Sequence, residues 1–125
     1  MPKKRILVVD DEDELVKAVQ VRLEYVGYEV LTASDGQTGL ELAKKEKPDL
    51  IVLDLMLPKM DGYKVCALLK ADTRYKKIPV ILFSARVQDK DVQMGKEVGA
   101  DAYITKPFDH QVLTAKIKEL LQEKQ

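Results

Sequence analysis

Residues 51–62 read IVLDLMLPKMDG. Four of the first five are apolar: Ile51, Val52, Leu53 and Leu55. A short unbroken apolar run of this kind suits a strand buried on both faces of a parallel sheet. Asp54 sits near the end of that run, and no adjacent residue carries a charge to pair with it. A bare carboxylate in an apolar setting is costly, or is forced toward its neutral form. The run points to a fold, and the aspartate points to a function.

Four more short runs resemble it. They are Ile6–Val9, Tyr28–Thr32, Val80–Phe83 and Ala102–Ile104, each rich in β-branched or aromatic residues. Amphipathic stretches separate them. Leu15, Val19, Leu23 and Val26 share one helical face, as do Val65, Leu68 and Leu69, and Leu113, Ile117, Leu120 and Leu121. Asp35, Asp61 and Asp109 stand where N-caps belong, and Gly27 and Gly99 stand just past helix ends. The helix over 36–46 is the weakest, because two of its first four residues are glycine. Strands alternating with helices predict one α/β domain over residues 1–125, a five-stranded, doubly wound parallel sheet with helices on both faces.

Lysine plus arginine and aspartate plus glutamate each number 21, so the net charge is zero. That balance disfavours non-specific binding to nucleic acid. The single cysteine, Cys66, cannot make an internal disulfide, and it reads as a small core residue. The start, MPKKRILVVDDED, has too short an apolar run for a signal peptide or a membrane span. A soluble, cytoplasmic protein is expected.

Ligands of such sheets bind beyond the carboxyl ends of the strands. The polar residues there are Asp10 and Asp11 after the first strand, Asp54 in the third, Ser84 after the fourth and Lys106 after the fifth. Three clustered carboxylates stay ionised together only beside cations. An all-oxygen donor set favours Mg²⁺, which completes its shell with water and phosphate oxygens. A carboxylate can itself attack phosphorus and become an aspartyl phosphate. Asp54 is therefore read as a phosphorylation site.

VVDDE, LDLMLPKMDG, FSAR and YITKPF, in this order, resemble the receiver domain of two-component response regulators over about Lys4 to Leu121. The resemblance implies a flavodoxin-like sheet of order 2-1-3-4-5. It implies that a sensor histidine kinase or phosphotransfer protein delivers phosphoryl to Asp54. Mg²⁺, or Mn²⁺, would bind Asp11, Asp54 and the backbone carbonyl of Met56, with Asp10 acting through water. Ser84 and Lys106 would contact phosphoryl oxygens, and Lys106–Pro107 would be a cis bond. Ser84 and Tyr103 would switch the surface of helix 4, strand 5 and helix 5, which controls a downstream protein. Met56 and Arg86 would tune the phosphoryl lifetime.

The match is closest to receivers of the winged-helix DNA-binding subfamily. With no such domain after Gln125, a stand-alone receiver that binds a protein rather than DNA is expected, the alternative being a receiver cut from a longer regulator. Ala102 and Lys116 replace charged residues usual at that subfamily's dimer surface, so a monomer or a weak phosphorylation-dependent dimer is expected. The chain would not be an enzyme beyond its own phosphoryl transfer and dephosphorylation. Two alternatives stay open: a degenerate, phosphorylation-independent interaction module, and an aspartyl-phosphate phosphatase. Asp13 and Glu14 read as ordinary acids of a helix start, and His110 as a solvated residue.

Overall fold

The computed structural model describes residues 3–85 and 88–123. Arg86 lies outside them. Five strands, β1 (Arg5–Val9), β2 (Glu29–Ala33), β3 (Leu50–Asp54), β4 (Val80–Ser84) and β5 (Ala102–Thr105), alternate with five helices. These are α1 (Asp13–Tyr25), α2 (Gly36–Glu46), α3 (Gly62–Ala71), α4 (Asp89–Glu97) and α5 (His110–Leu120). All neighbouring strands pair in parallel, in the order β2-β1-β3-β4-β5.

Strand side chains alternate between the two faces, so each central strand feeds two cores. Ile6, Val8, Val52, Ile81 and Phe83 meet Val19 and Leu23 of α1 and Leu113 and Ile117 of α5. Leu7, Val9, Ile51, Leu53 and Leu82 meet Leu40 and Ala43 of α2 and Val65, Cys66 and Leu69 of α3. Such burial on both faces is why β3 and β4 read as unbroken apolar runs. Among the described residues no helix is long and apolar enough to cross a membrane.

The expected caps form. Asp35 accepts from the Thr38 N–H, Asp61 from Lys64 and Asp109 from Gln111. Helices α1 and α4 stop against Gly27 and Gly99, both at positive φ. The glycines that weakened α2 in the sequence have a packing reason. A Cβ on Gly36 would lie 1.8 Å from the carbonyl oxygen of Met60, in the loop that follows β3. Two expectations fail. Leu68 is exposed, whereas Val65, Leu69 and Cys66 are buried as expected, because the inner face of α3 is centred near Leu69, between Val65 and Cys66, and Leu68 lies about a quarter-turn or more off it. His110 is half-buried rather than solvated, edge-on to Phe108 at 6.1 Å.

Two outcomes follow from this packing. Gly36→Ala should destabilise the protein by about 1–3 kcal/mol in a urea titration, although alanine is the better helix former. Burial pushes the Cys66 thiol up to about 11. At about pH 8 it is therefore neutral as well as inaccessible, and Ellman's reagent should label it only at the rate of unfolding.

Candidate functional site

β1, β3, β4 and β5 deliver their last residues to the same end of the sheet. Asp54 closes β3, paired in register with Phe83, and Ser84 closes β4 beside Thr105. Asp10 follows β1, and its N–H donates to the Ala33 carbonyl at 3.1 Å. The Lys106 N–H donates to the Ser84 carbonyl at 2.7 Å, which fixes the loop after β5. Lys106–Pro107 is cis. From behind, α3 begins so close to β3 that a Cβ on Gly62 would lie 2.2 Å from the Asp54 carbonyl oxygen.

Asp10, Asp54 and Ser84 are buried, and Asp11 is exposed. One carboxylate oxygen from each of Asp10, Asp11 and Asp54 lies within 4.8 Å of the other two. The Lys106 ammonium donates to Asp10 Oδ2 at 2.8 Å and to Glu12 Oε1 at 2.9 Å, and it lies 3.6 Å from Asp54 Oδ1. It also sits 4.8 Å above the Phe83 ring, a favourable place for a cation. The other Asp10 oxygen accepts from the Glu12 N–H at 2.8 Å. A mostly apolar cavity of about 420 Å³ opens beside Lys106, between α1 and the start of α5.

Electrostatics at this end of the sheet are unbalanced. Among the described residues, Asp10, Glu12 and Asp54 share one ammonium, that of Lys106, and Asp11 adds a further carboxylate beside Asp10 and Asp54. Burial raises the Asp54 carboxyl above its ordinary range, the nearby Asp10 adds to the rise, and Lys106 opposes it. Burial also raises Asp10, against its hydrogen bonds to Lys106 and Glu12. Burial alone would depress Lys106, but its bonds to Asp10 and Glu12 prevail and its pKa is raised. The donor set is oxygen throughout, with no imidazole or thiolate, and it suits a hard divalent cation.

All five sequence-nominated groups, Asp10, Asp11, Asp54, Ser84 and Lys106, thus meet at one end of the sheet. Met56 follows at the rim with its side chain exposed. Tyr103 is half-buried on β5, its ring within 3.2 Å of where a Cβ on Gly95 of α4 would stand. Sequence reasoning overlooked Glu12. Its signal was faint: one acid in a run of five, distinguished only by following Asp10 by two positions.

Fold and site together define a doubly wound α/β domain with an acidic cluster at the carboxyl ends of its strands. The family model for the response regulator receiver domain matches residues 6–118, and the chain belongs to that family. It is 48% identical over 118 residues to the alkaline phosphatase synthesis transcriptional regulatory protein PhoP of Bacillus subtilis, covering 94% of this chain and 48% of that one. The chain spans about half the length of the curated relatives it matches. A CheY-like response regulator receiver domain protein from Methanospirillum hungatei superposes with a TM-score of 0.89 at 33% identity, covering 97% of this chain and 95% of that one. The receiver domain of sensor histidine kinase PA1611 from Pseudomonas aeruginosa, solved with magnesium in its active-site cleft, shares the fold at TM-score 0.89 and 24% identity, covering 98% of this chain and all of that one. The chain is therefore a receiver domain of the two-component response regulators.

The raised carboxyl of Asp54 has a measurable sign. A folded-state pKa above the unfolded one adds stability at low pH that is lost as pH rises through the folded value. Asp54→Asn should therefore melt higher than the wild type at neutral pH in a chelating buffer. The gap should close as pH falls below the ordinary carboxylate range, followed by circular dichroism.

Proposed function

We propose that the chain is a phosphorylation-driven signalling switch. An Asp54 carboxylate oxygen attacks the phosphorus of a phosphohistidine on a sensor kinase or phosphotransfer protein. The P–N bond breaks, its electron pair returns to the imidazole, and an acyl phosphate forms on Asp54. The reading is supported by the meeting of Asp10, Asp11, Asp54 and Lys106 at one strand end in a chain of this family.

The residues divide the work. Asp11 and Asp54, with the Met56 backbone carbonyl, would hold Mg²⁺ or Mn²⁺. Both Asp10 oxygens already accept protein hydrogen bonds, which suits a role through the cation's water. When bound, the cation neutralises charge on the phosphoryl oxygens. Lys106 offers those oxygens a point charge, and the Ser84 hydroxyl offers a donor. The surrounding apolar strands limit water, so each charge acts more strongly than it would in solvent.

The readout is mechanical. A phosphoryl group brings about −1.5 to −2 charge near neutral pH. Movement of Ser84 toward it opens space that the half-buried Tyr103 ring can take, which alters its contact with α4. The surface of α4, β5 and α5 then binds a downstream protein differently. Met56 at the rim tunes how long the phosphoryl group lasts, as the notional partner position Arg86 would. The chain turns over no substrate other than its own phosphoryl group.

Incubation with acetyl phosphate, or with beryllofluoride and Mg²⁺, tests the reading by mass spectrometry and amide NMR. The intact protein should gain a phosphoryl group or bind the mimic, and Asp54→Ala should lose the response completely. Silence in the intact protein would leave a degenerate interaction module. Steady turnover of a phosphate ester would instead indicate a phosphatase.

A further inference from the structure

Lys106 is held by acids other than the proposed acceptor. Its ammonium has three donors; one reaches Asp10 at 2.8 Å and one reaches Glu12 at 2.9 Å, while Asp54 lies beyond hydrogen-bond range at 3.6 Å. The Asp10 and Glu12 bonds differ in kind. Asp10 is fully enclosed, and its other oxygen accepts from the Glu12 N–H. The Glu12 side chain is 62% exposed and reaches Lys106 from the mouth of the site. It has freedom to leave, and solvent stands ready to receive its charge.

We propose that Glu12 is a positioning residue that holds the Lys106 ammonium back from Asp54 in the resting protein and must release it when a phosphoryl group arrives. The inference rests on the phosphoacceptor reading and adds a residue to it. Glu12 and a phosphoryl oxygen on Asp54 are rivals for the position of the same ammonium rather than for a donor, because Nζ stands 3.6 Å from Asp54 while it is bonded to Glu12. Glu12 therefore sets a threshold: it favours the unphosphorylated state by what the exposed end of the pair is worth, which is modest. Length matters as well as charge, because the Glu12 backbone is fixed by its bond to Asp10 and a carboxylate one methylene shorter would fall short of Nζ.

Beryllofluoride affinity in excess Mg²⁺ is the measurement, made on wild type, Glu12→Gln, Glu12→Asp and Asp13→Asn. Glu12→Gln should bind about two- to fivefold more tightly. Glu12→Asp should follow it, and Asp13→Asn should match wild type. An unchanged or weaker Glu12→Gln overturns the inference. So does a wild-type-like Glu12→Asp beside a tightened Glu12→Gln, because bulk charge alone would then suffice. The Lys106 side-chain resonances give a reading without any phosphoryl mimic. They should move in resting Glu12→Gln, and no movement also overturns the pairing. A wild-type protein that ignores beryllofluoride defeats the phosphoacceptor reading instead, and the Lys106 resonances still decide whether Glu12 holds the ammonium.

Discussion

The structure depends on one electrostatic compromise. Acids from two strand ends lie close enough to repel one another, and a single ammonium from a third strand end holds them. Lys106 is 96 residues from Asp10, yet it donates to it at 2.8 Å inside a nearly dry setting. In water such a pair would contribute little. Here, removing the ammonium would leave buried like charges without a counter-charge, so the fold of β5 and the ionisation of the site are coupled.

The sheet exists in the form that makes this compromise reachable. Parallel strands all end on one side, and burial on both faces excludes water from around the ends. The two cores are built without the acids, which are confined to the last residue of a strand or the loop just after it. Charge is thus gathered where the scaffold is stiff, and packing energy from Leu53, Leu82 and their neighbours offsets the repulsion.

Much of this was legible in the sequence because it was written in strong local signals. Apolar runs marked the strands, aspartates marked the helix starts, and the rule that ligands bind at strand ends collected Asp10, Asp54, Ser84 and Lys106. What was not legible depended on three-dimensional closeness. Gly36 looked like a weak helix former until the Met60 carbonyl was seen to occupy the place of a side chain. Leu68 was counted on the inner face of α3 because it is apolar at helical spacing from Val65, but the buried face runs over Val65, Cys66 and Leu69 and leaves it outside. His110 looked solvated because sequence gives no hint that Phe108 folds back beside it. Glu12 passed as a loop acid because its partner comes from the far end of the chain.

The close approach of Gly62 to the Asp54 backbone has a consequence for force transmission. With the rear of the acceptor braced by the first turn of α3, that aspartate has little room to recoil. On the proposed function, work done by a new charge on Asp54 would be directed outward, to the lysine, the serine and the ring beyond them. On that reading the brace would act as an anvil, turning a local chemical event into a push in one direction.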